Sequence, residues 1–313
     1  MITSFEQMLQ AVTDCPVPKV AVVAPETAGI LEAVKRAGEG NIARPLLIGR
    51  KSLIEPLADR AGLDLSESDL VNATDDLEAA RLATVAVREG RADLLMKGHI
   101  QTDDFLRAIL DRETGLRGGH VMSHVFILET VDRGRLTFVT DGAMNIAPDL
   151  TTKAAIIMNA VYLARCFGIP RPKVGVLAAV EVVNPAMPAT LDAAALATMQ
   201  SRHQFPDCVV DGPFALDNAI SVDAAQIKGL SGETAGDCDI LVTPNIEAGN
   251  LLAKSFAFLA GGRVAGVLVG ASAPVVLTSR ADSVDAKLYS IAAAVLMANI
   301  DRCERMKIGK VHF

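Results

Sequence analysis

"PVVLTSRADSVDAKLYS", residues 274–290, carries a short apolar run through a polar turn into a segment whose apolar side chains recur with a helical period. From Ser283 onward Val284, Leu288, Ile291, Ala292, Val295 and Leu296 share one helical face, with Ser283 placed as an N-cap and Asp285 in the first turn. A strand leading into a helix sets Ser279 and Arg280 at the carboxyl edge of a sheet. Open α/β folds bind ligands at that edge, and a helix N-terminus there offers unpaired N–H groups to an anion. The same two residues admit a plainer role, with Ser279 satisfying loop backbone and Arg280 paired with Asp282.

The rest of the chain repeats this grammar. Runs rich in valine, leucine and isoleucine at 19–23, 45–48, 92–96, 124–128, 136–140, 173–177, 208–211, 240–243, 264–269 and 275–278 alternate with longer amphipathic runs. Strands buried on both faces and joined by covering helices give that pattern, so the fold class is α/β. Between 121 and 140 two strand-like runs are separated only by "ETVDRGR", too short for a helical crossover, which predicts an antiparallel hairpin. With 313 residues, half of them hydrophobic, the chain is long enough for two lobes.

The formal net charge of -7 leaves no global positive field for nucleic acid or an anionic membrane, so an anionic ligand must be held by local groups. Five scattered cysteines, Cys15, Cys166, Cys208, Cys238 and Cys303, are never spaced as a redox or zinc pair. They predict unpaired thiols in a reducing compartment, hence a cytoplasmic protein. Residues 1–20 have no sustained apolar run and read as neither signal peptide nor anchor.

Three further stretches have the same strand, turn and helix design. "LLMKGHIQTDDFLRAIL" (94–110) presents Lys97, Thr102 and Arg107, of which Lys97 and Arg107 are suited to an anion; an Asp103–Arg107 pair on a solvated helix is the plainer reading. "DILVTPNIEAGNLLAKSF" (239–256) presents Thr243, Asn245 and Lys254, with Gly249 permitting close backbone approach. "VVDGPFALDNAIS" (209–221) presents Asp211, Asp217 and Asn218, equally suited to a turn and a helix cap. No P-loop, dinucleotide fingerprint or GxSxG elbow occurs, and His120 and His124 lack the helical context of a zinc site, so no metal is expected.

Taken together these blocks, with "FVTDGAMNIAPDLTTKAAIIMNAV" and "LAAVEVVNPAMPATLDAAAL", resemble the phosphate acetyltransferase and phosphate butyryltransferase family, with wording nearer the butyryl branch. The resemblance implies two α/β lobes with a cleft between them, like isocitrate and isopropylmalate dehydrogenases. Its expected boundaries are 1–117 with 269–313 for one lobe and 118–268 for the other. It implies reversible transfer of a short acyl group between coenzyme A and inorganic phosphate in a ternary complex. Acyl-CoA, phosphate and acyl phosphate are then the partners, in a homodimer or larger homo-oligomer. No cofactor is expected, coenzyme A being a substrate.

By the same resemblance Ser279 and Arg280 are the catalytic serine and phosphate-binding arginine, and Arg107 is a second arginine of the substrate site. Lys97, Thr102, Thr243, Asn245 and Lys254 are further candidates for phosphate or coenzyme A. Acetyl relatives commonly have two adjacent acids beyond the Ser-Arg pair, whereas here Asp285 precedes Ala286. A carboxylate near pKa 3.9 facing a thiol near 8.5 is mismatched by roughly 6 kcal/mol, so Asp285 is expected to orient the thiol more than to deprotonate it. Two other functions fit the α/β pattern: a nicotinamide- and metal-dependent dehydrogenase of the related fold, and a non-catalytic acyl-CoA or anion-binding protein.

Overall fold

The computed structural model describes residues 1–64, 69–130, 133–299 and 311. In chain order it begins with α1 (Phe5–Thr13), β1 (Lys19–Val23), α2 (Ala28–Glu39), β2 (Arg44–Gly49), α3 (Lys51–Ala61), β3 (Asp69–Asn72), α4 (Asp76–Arg88), β4 (Leu94–Lys97) and α5 (Thr102–Leu110). The middle of the chain forms β5 (Ser123–Thr130), β6 (Arg135–Thr140), α6 (Leu150–Cys166), β7 (Lys173–Leu177), α7 (Pro188–Ser201), β8 (Val209–Phe214), α8 (Leu216–Ile220), α9 (Val222–Ile227), β9 (Ile240–Val242) and α10 (Ile246–Lys254). After a π-helical turn at Ser255–Leu259 come β10 (Arg263–Val269), β11 (Val275–Val276) and α11 (Val284–Asn299).

These elements divide into two compact units. One holds Phe5–His120 together with the chain from Ala265 through α11. Its strands lie in the order β3-β2-β1-β4-β11-β10, all pairs parallel except β10 with β11. Every residue of β4 is buried, as is β1 beyond Lys19, as expected for strands covered on both faces. Helix α11 is buried continuously from Ala286 to Val295, and the Tyr289 ring stacks on Phe5 of α1 at a centroid separation of 4.3 Å. A helix that is apolar on all sides belongs in the middle of a layer, not on its surface.

The other unit holds Met1–Ser4 and Val121–Val264, with strand order β5-β6-β9-β7-β8. The hairpin expected from "ETVDRGR" is present: β5 and β6 pair antiparallel from Val125↔Thr140 to Thr130↔Arg135, while the other pairs are parallel. Helix α6 is its central helix, where the Asn159 carboxamide donates to the Val121 carbonyl and the Ser123 hydroxyl, both at 2.9 Å.

Strand β3, on the sheet edge beside β2, went unrecognised in the sequence because "DLVN" sets only two apolar residues between polar ones, too short a run to read as a strand. Among the described residues no helix is long and apolar enough to cross a membrane.

The carboxyl ends of β1 and β4 meet closely. A Cβ on Gly98 would lie 2.0 Å from the Val23 carbonyl oxygen and 2.4 Å from that of Ala24. The next residue, His99, donates its N–H to the Ala24 carbonyl at 2.7 Å. Only glycine lets β4 turn onto β1 here. Gly98→Ala is therefore expected to cost at least about 2 kcal/mol in urea denaturation, since the clash is with backbone that cannot swing away; a cost below about 0.5 kcal/mol would show that the two strand ends are not so close.

Candidate functional site

The loop joining β11 to α11 is a self-contained turn. The Ser279 N–H donates to the Asp282 carboxylate at 2.7 Å, the Asp282 N–H returns to the Ser279 carbonyl at 3.2 Å, and the Ala281 N–H donates to Ser279 Oγ at 3.3 Å. Ser283 is the helix N-cap, accepting from the Ala286 N–H at 3.0 Å. This bonding holds Ser279, Arg280 and Ala281 at the surface. Arg280 reaches across to α5, donating to Gln101 Oε1 at 3.1 Å at the N-cap position of that helix.

Beneath the loop lies Lys97, the last residue of β4, with only 2% of its surface exposed. Its ammonium donates to the Gly98 carbonyl at a long 3.4 Å. Burial pushes its pKa down from 10.5 to about 8, helped by the like charges of Arg280 and Lys287 and opposed only by Asp282. Lys287, also buried, donates to the Asp282 main-chain carbonyl, and burial lowers its pKa too. The carboxyl edge thus concentrates three cations, two of them desolvated, against a single carboxylate. Such a cluster is poised to accept a multivalent anion, whose charge would relieve the mutual repulsion. Lys287, Asp282 and Gln101 are the members that sequence reading did not assign to the site.

Asp285 points elsewhere. Its carboxylate pairs with the Arg36 guanidinium of α2 at 2.7 Å. Two residues along a helix turn the side chain through roughly 200°, so a Lys287 that faces the loop sends Asp285 to another side.

Arg107 lies about 9 Å further along α5 than Gln101 and is exposed. It pairs with Asp104 at 2.8 Å, one residue from the Asp103 partner anticipated for a solvated helix. With Asp103, Arg112 and Arg117 it lines a separate open concavity of about 530 Å³. Thr102, the first residue of α5, is exposed.

In the other unit Thr243 is buried, its hydroxyl within 3.0 Å of the Asp141 carbonyl. Asn245 is the N-cap of α10, accepting from the Ala248 N–H at 3.0 Å. Lys254 is exposed in the last turn of that helix. Asp211 and Asp217 take structural partners, Thr234 Oγ1 at 3.0 Å and the Lys228 ammonium at 3.2 Å, and Asn218 donates to Glu181 at 3.2 Å.

Cys15, Cys166, Cys208 and Cys238 are free thiols, and burial pushes Cys208 and Cys238 up to about 12, which leaves them unreactive. Cys303 lies outside the described residues. His124 packs edge-on against Phe126, and among the described residues no group of three or more His, Cys, Asp or Glu side chains is placed to hold a metal ion.

The depressed pKa of Lys97 has a definite sign in stability. Below about pH 8 the amine is protonated whether folded or unfolded, and burying the charge costs about 3 kcal/mol. Between about pH 8 and 10.5 only the unfolded chain holds the proton, so the cost fades and stability rises with pH. Lys97→Met is expected to stabilise the protein by about 2–3 kcal/mol at pH 7 in urea denaturation and by almost nothing near pH 10.5. An equal effect at both pH values would mean the amine is not desolvated.

Comparison with known proteins adds the lineage. The family model described as "Phosphate acetyl/butaryl transferase" matches residues 75–295. A phosphate butyryltransferase of Clostridium beijerinckii is 46% identical over 298 residues, covering 95% of this chain and 99% of that one. A phosphate acetyltransferase of Thermotoga maritima is 42% identical over 280 residues, covering 90% and 95%. The crystal structure of a branched-chain phosphotransacylase from Enterococcus faecalis V583 superposes with a TM-score of 0.80 at 32% identity, over 90% of this chain and 99% of that one. The matched span contains β4, the loop with Ser279 and Arg280, and most of α11. This chain belongs to the phosphate acetyl/butyryl transferase family.

Proposed function

We propose that this protein is an acyltransferase that moves a short acyl group reversibly between coenzyme A and inorganic phosphate, in a ternary complex with both substrates bound. The observation that carries the reading is the pair of cations Arg280 and Lys287, within and beside the loop that bears Ser279, next to the buried amine of Lys97. Phosphate is a dianion near neutral pH, and this cluster has the charge and the desolvation to select it over water.

In the direction that makes acyl phosphate, a phosphate oxygen attacks the thioester carbonyl carbon. Arg280 and Lys287 hold the anion for attack, and the Ser279 hydroxyl donates to the carbonyl oxygen as negative charge builds there. The C–S bond then breaks and coenzyme A departs, with no covalent enzyme intermediate. Asp285, paired with Arg36, takes no part in proton transfer. The concavity lined by Arg107, Arg112 and Arg117, together with Asp103 and Asp111, is suited to the phosphate-rich end of coenzyme A, a role that replaces the phosphate-holding one expected for Arg107 beside Arg280. The reaction so read uses no cofactor. Its kinship to the isocitrate and isopropylmalate dehydrogenase fold, and assembly into a homodimer or larger, belong to the same proposal.

Coenzyme A release from butyryl-CoA is expected to require phosphate, and trapping with hydroxylamine is expected to recover the acyl phosphate. Arg280→Ala should lower kcat/KM by about 100-fold or more, the usual loss when one charge-stabilising donor is removed. Butyryl-CoA should outpace acetyl-CoA by up to about tenfold, because two further methylenes are worth about 1.6 kcal/mol when buried. Thioester cleavage that ignores phosphate, nicotinamide reduction, or acyl-CoA binding without turnover would each overturn the assignment.

A further inference from the structure

The transfer must also move a proton, because a thiol S–H is consumed or made as the phosphate O–H is made or consumed. The two residues where relatives commonly have paired acids do not supply a base here. Asp285 is held by Arg36 at 2.7 Å and Ala286 has no ionisable group. Asp282, the one carboxylate facing the cluster, accepts the Ser279 N–H at 2.7 Å. Two nitrogen bases are left at this edge: the exposed His99 imidazole, on the loop after β4, and the Lys97 amine, which is the one that Arg280, Asp282 and Lys287 act on. Lys97 is almost wholly buried at the carboxyl end of β4, its hydrogen-bond acceptor is the neighbouring Gly98 carbonyl at 3.4 Å, and it feels the charges of Arg280 and Asp282 in the loop that bears Ser279.

The charged groups that face it are Arg280 and Asp282 from the loop and Lys287 from α11. On β1 the residue opposite is Val23, and β11 pairs Val276 with the preceding Met96, so neither flanking strand brings a charge to that register. Two fixed cations and no paired carboxylate favour the neutral amine, and a neutral buried amine is a base.

We propose that Lys97 is the proton relay of the reaction, a role that rests on the acyl transfer proposed above. When acyl phosphate is consumed, the Lys97 Nζ lone pair takes the thiol proton of coenzyme A as sulfur attacks the acyl carbon. The bond from acyl carbon to phosphate oxygen breaks, its electron pair stays on that oxygen, and the Lys97 ammonium hands the proton to it. When acyl phosphate is made, the proton of HPO4²⁻ passes to Lys97 as oxygen attacks; the C–S pair leaves on sulfur, and the ammonium protonates the thiolate. Lys97 begins and ends each turnover neutral, and its transient charge falls where the transferring electrons need it. A thiol near 8.5 and an amine at about 8 exchange a proton at little cost, which no ordinary carboxylate matches.

The decisive experiment follows kcat/KM for phosphate with butyryl-CoA saturating, from pH 7 to 9, corrected for the fraction of phosphate present as dianion; this direction starts with no free thiol to titrate. The relay predicts a rise of about tenfold, centred near pH 8, as the amine loses its proton in the butyryl-CoA complex that phosphate has yet to enter. In Lys97→Arg, which keeps the charge and cannot release a proton, the rise should vanish and kcat should fall by about 100-fold or more while KM for phosphate changes by less than about threefold. Lys97→Ala, which leaves a void where the buried side chain stood, should lose kcat as well and recover part of it with added methylamine or ethylamine.

A wild-type profile that falls across this range would make Lys97 a fixed positive charge and overturn the relay. So would a Lys97→Arg enzyme that retains kcat within about fivefold. Both results leave the acyltransferase assignment standing, because the wild type still turns over. A wild type with no phosphate-dependent release of coenzyme A overturns the assignment and the relay together.

Discussion

A lysine held out of water at the end of a central strand, with two cations beside it and one carboxylate, is the constraint on which the rest of the site depends. Lys97 occupies the last position of a fully buried strand that is paired with β1 and β11 on its two sides, which sets the root of its side chain inside the sheet. The loop is fixed by its own hydrogen bonds and by the N-cap of α11; Lys287 donates to the Asp282 carbonyl, and Arg280 to Gln101. A cluster of this kind stores repulsion. A bound dianion removes it, so the unfavourable burial of charge in the free protein becomes selectivity for phosphate in the bound one.

The position of that strand end is itself a backbone matter. Gly98 allows β4 to turn onto the end of β1, and the Ala24 carbonyl accepts the His99 N–H as it does so. Any larger residue would push β4 away and take Lys97 with it. Two neighbouring positions therefore divide the work, Gly98 through the absence of a side chain and Lys97 through the charge of one.

Much of this was legible in the sequence because parallel strands buried on both faces leave unbroken valine, leucine and isoleucine runs that polar turns punctuate. The antiparallel hairpin of β5 and β6 was equally legible, since its connection is too short for anything else. The edge strand β3 was not, because a strand with one neighbour demands little of a sequence such as "DLVN". Within the site, Ser279 and Arg280 stood out through their place between strand and helix. Lys287 did not, since a lysine in a helix ordinarily reads as solvated and only the burial of α11 on every side marks it. The partner of Asp285 was beyond reach for a related reason: Arg36 is distant in sequence, and only the packing of α11 beside α2 brings the two charges together.

The ¹³Cε resonance of Lys97 reports the protonation state of its amine without any turnover. In a pH titration of the phosphate-free protein, with Lys97→Arg assigning the signal, a desolvated amine gives a midpoint near 8. A midpoint at about 10 or above, the value of a solvated lysine, would contradict it.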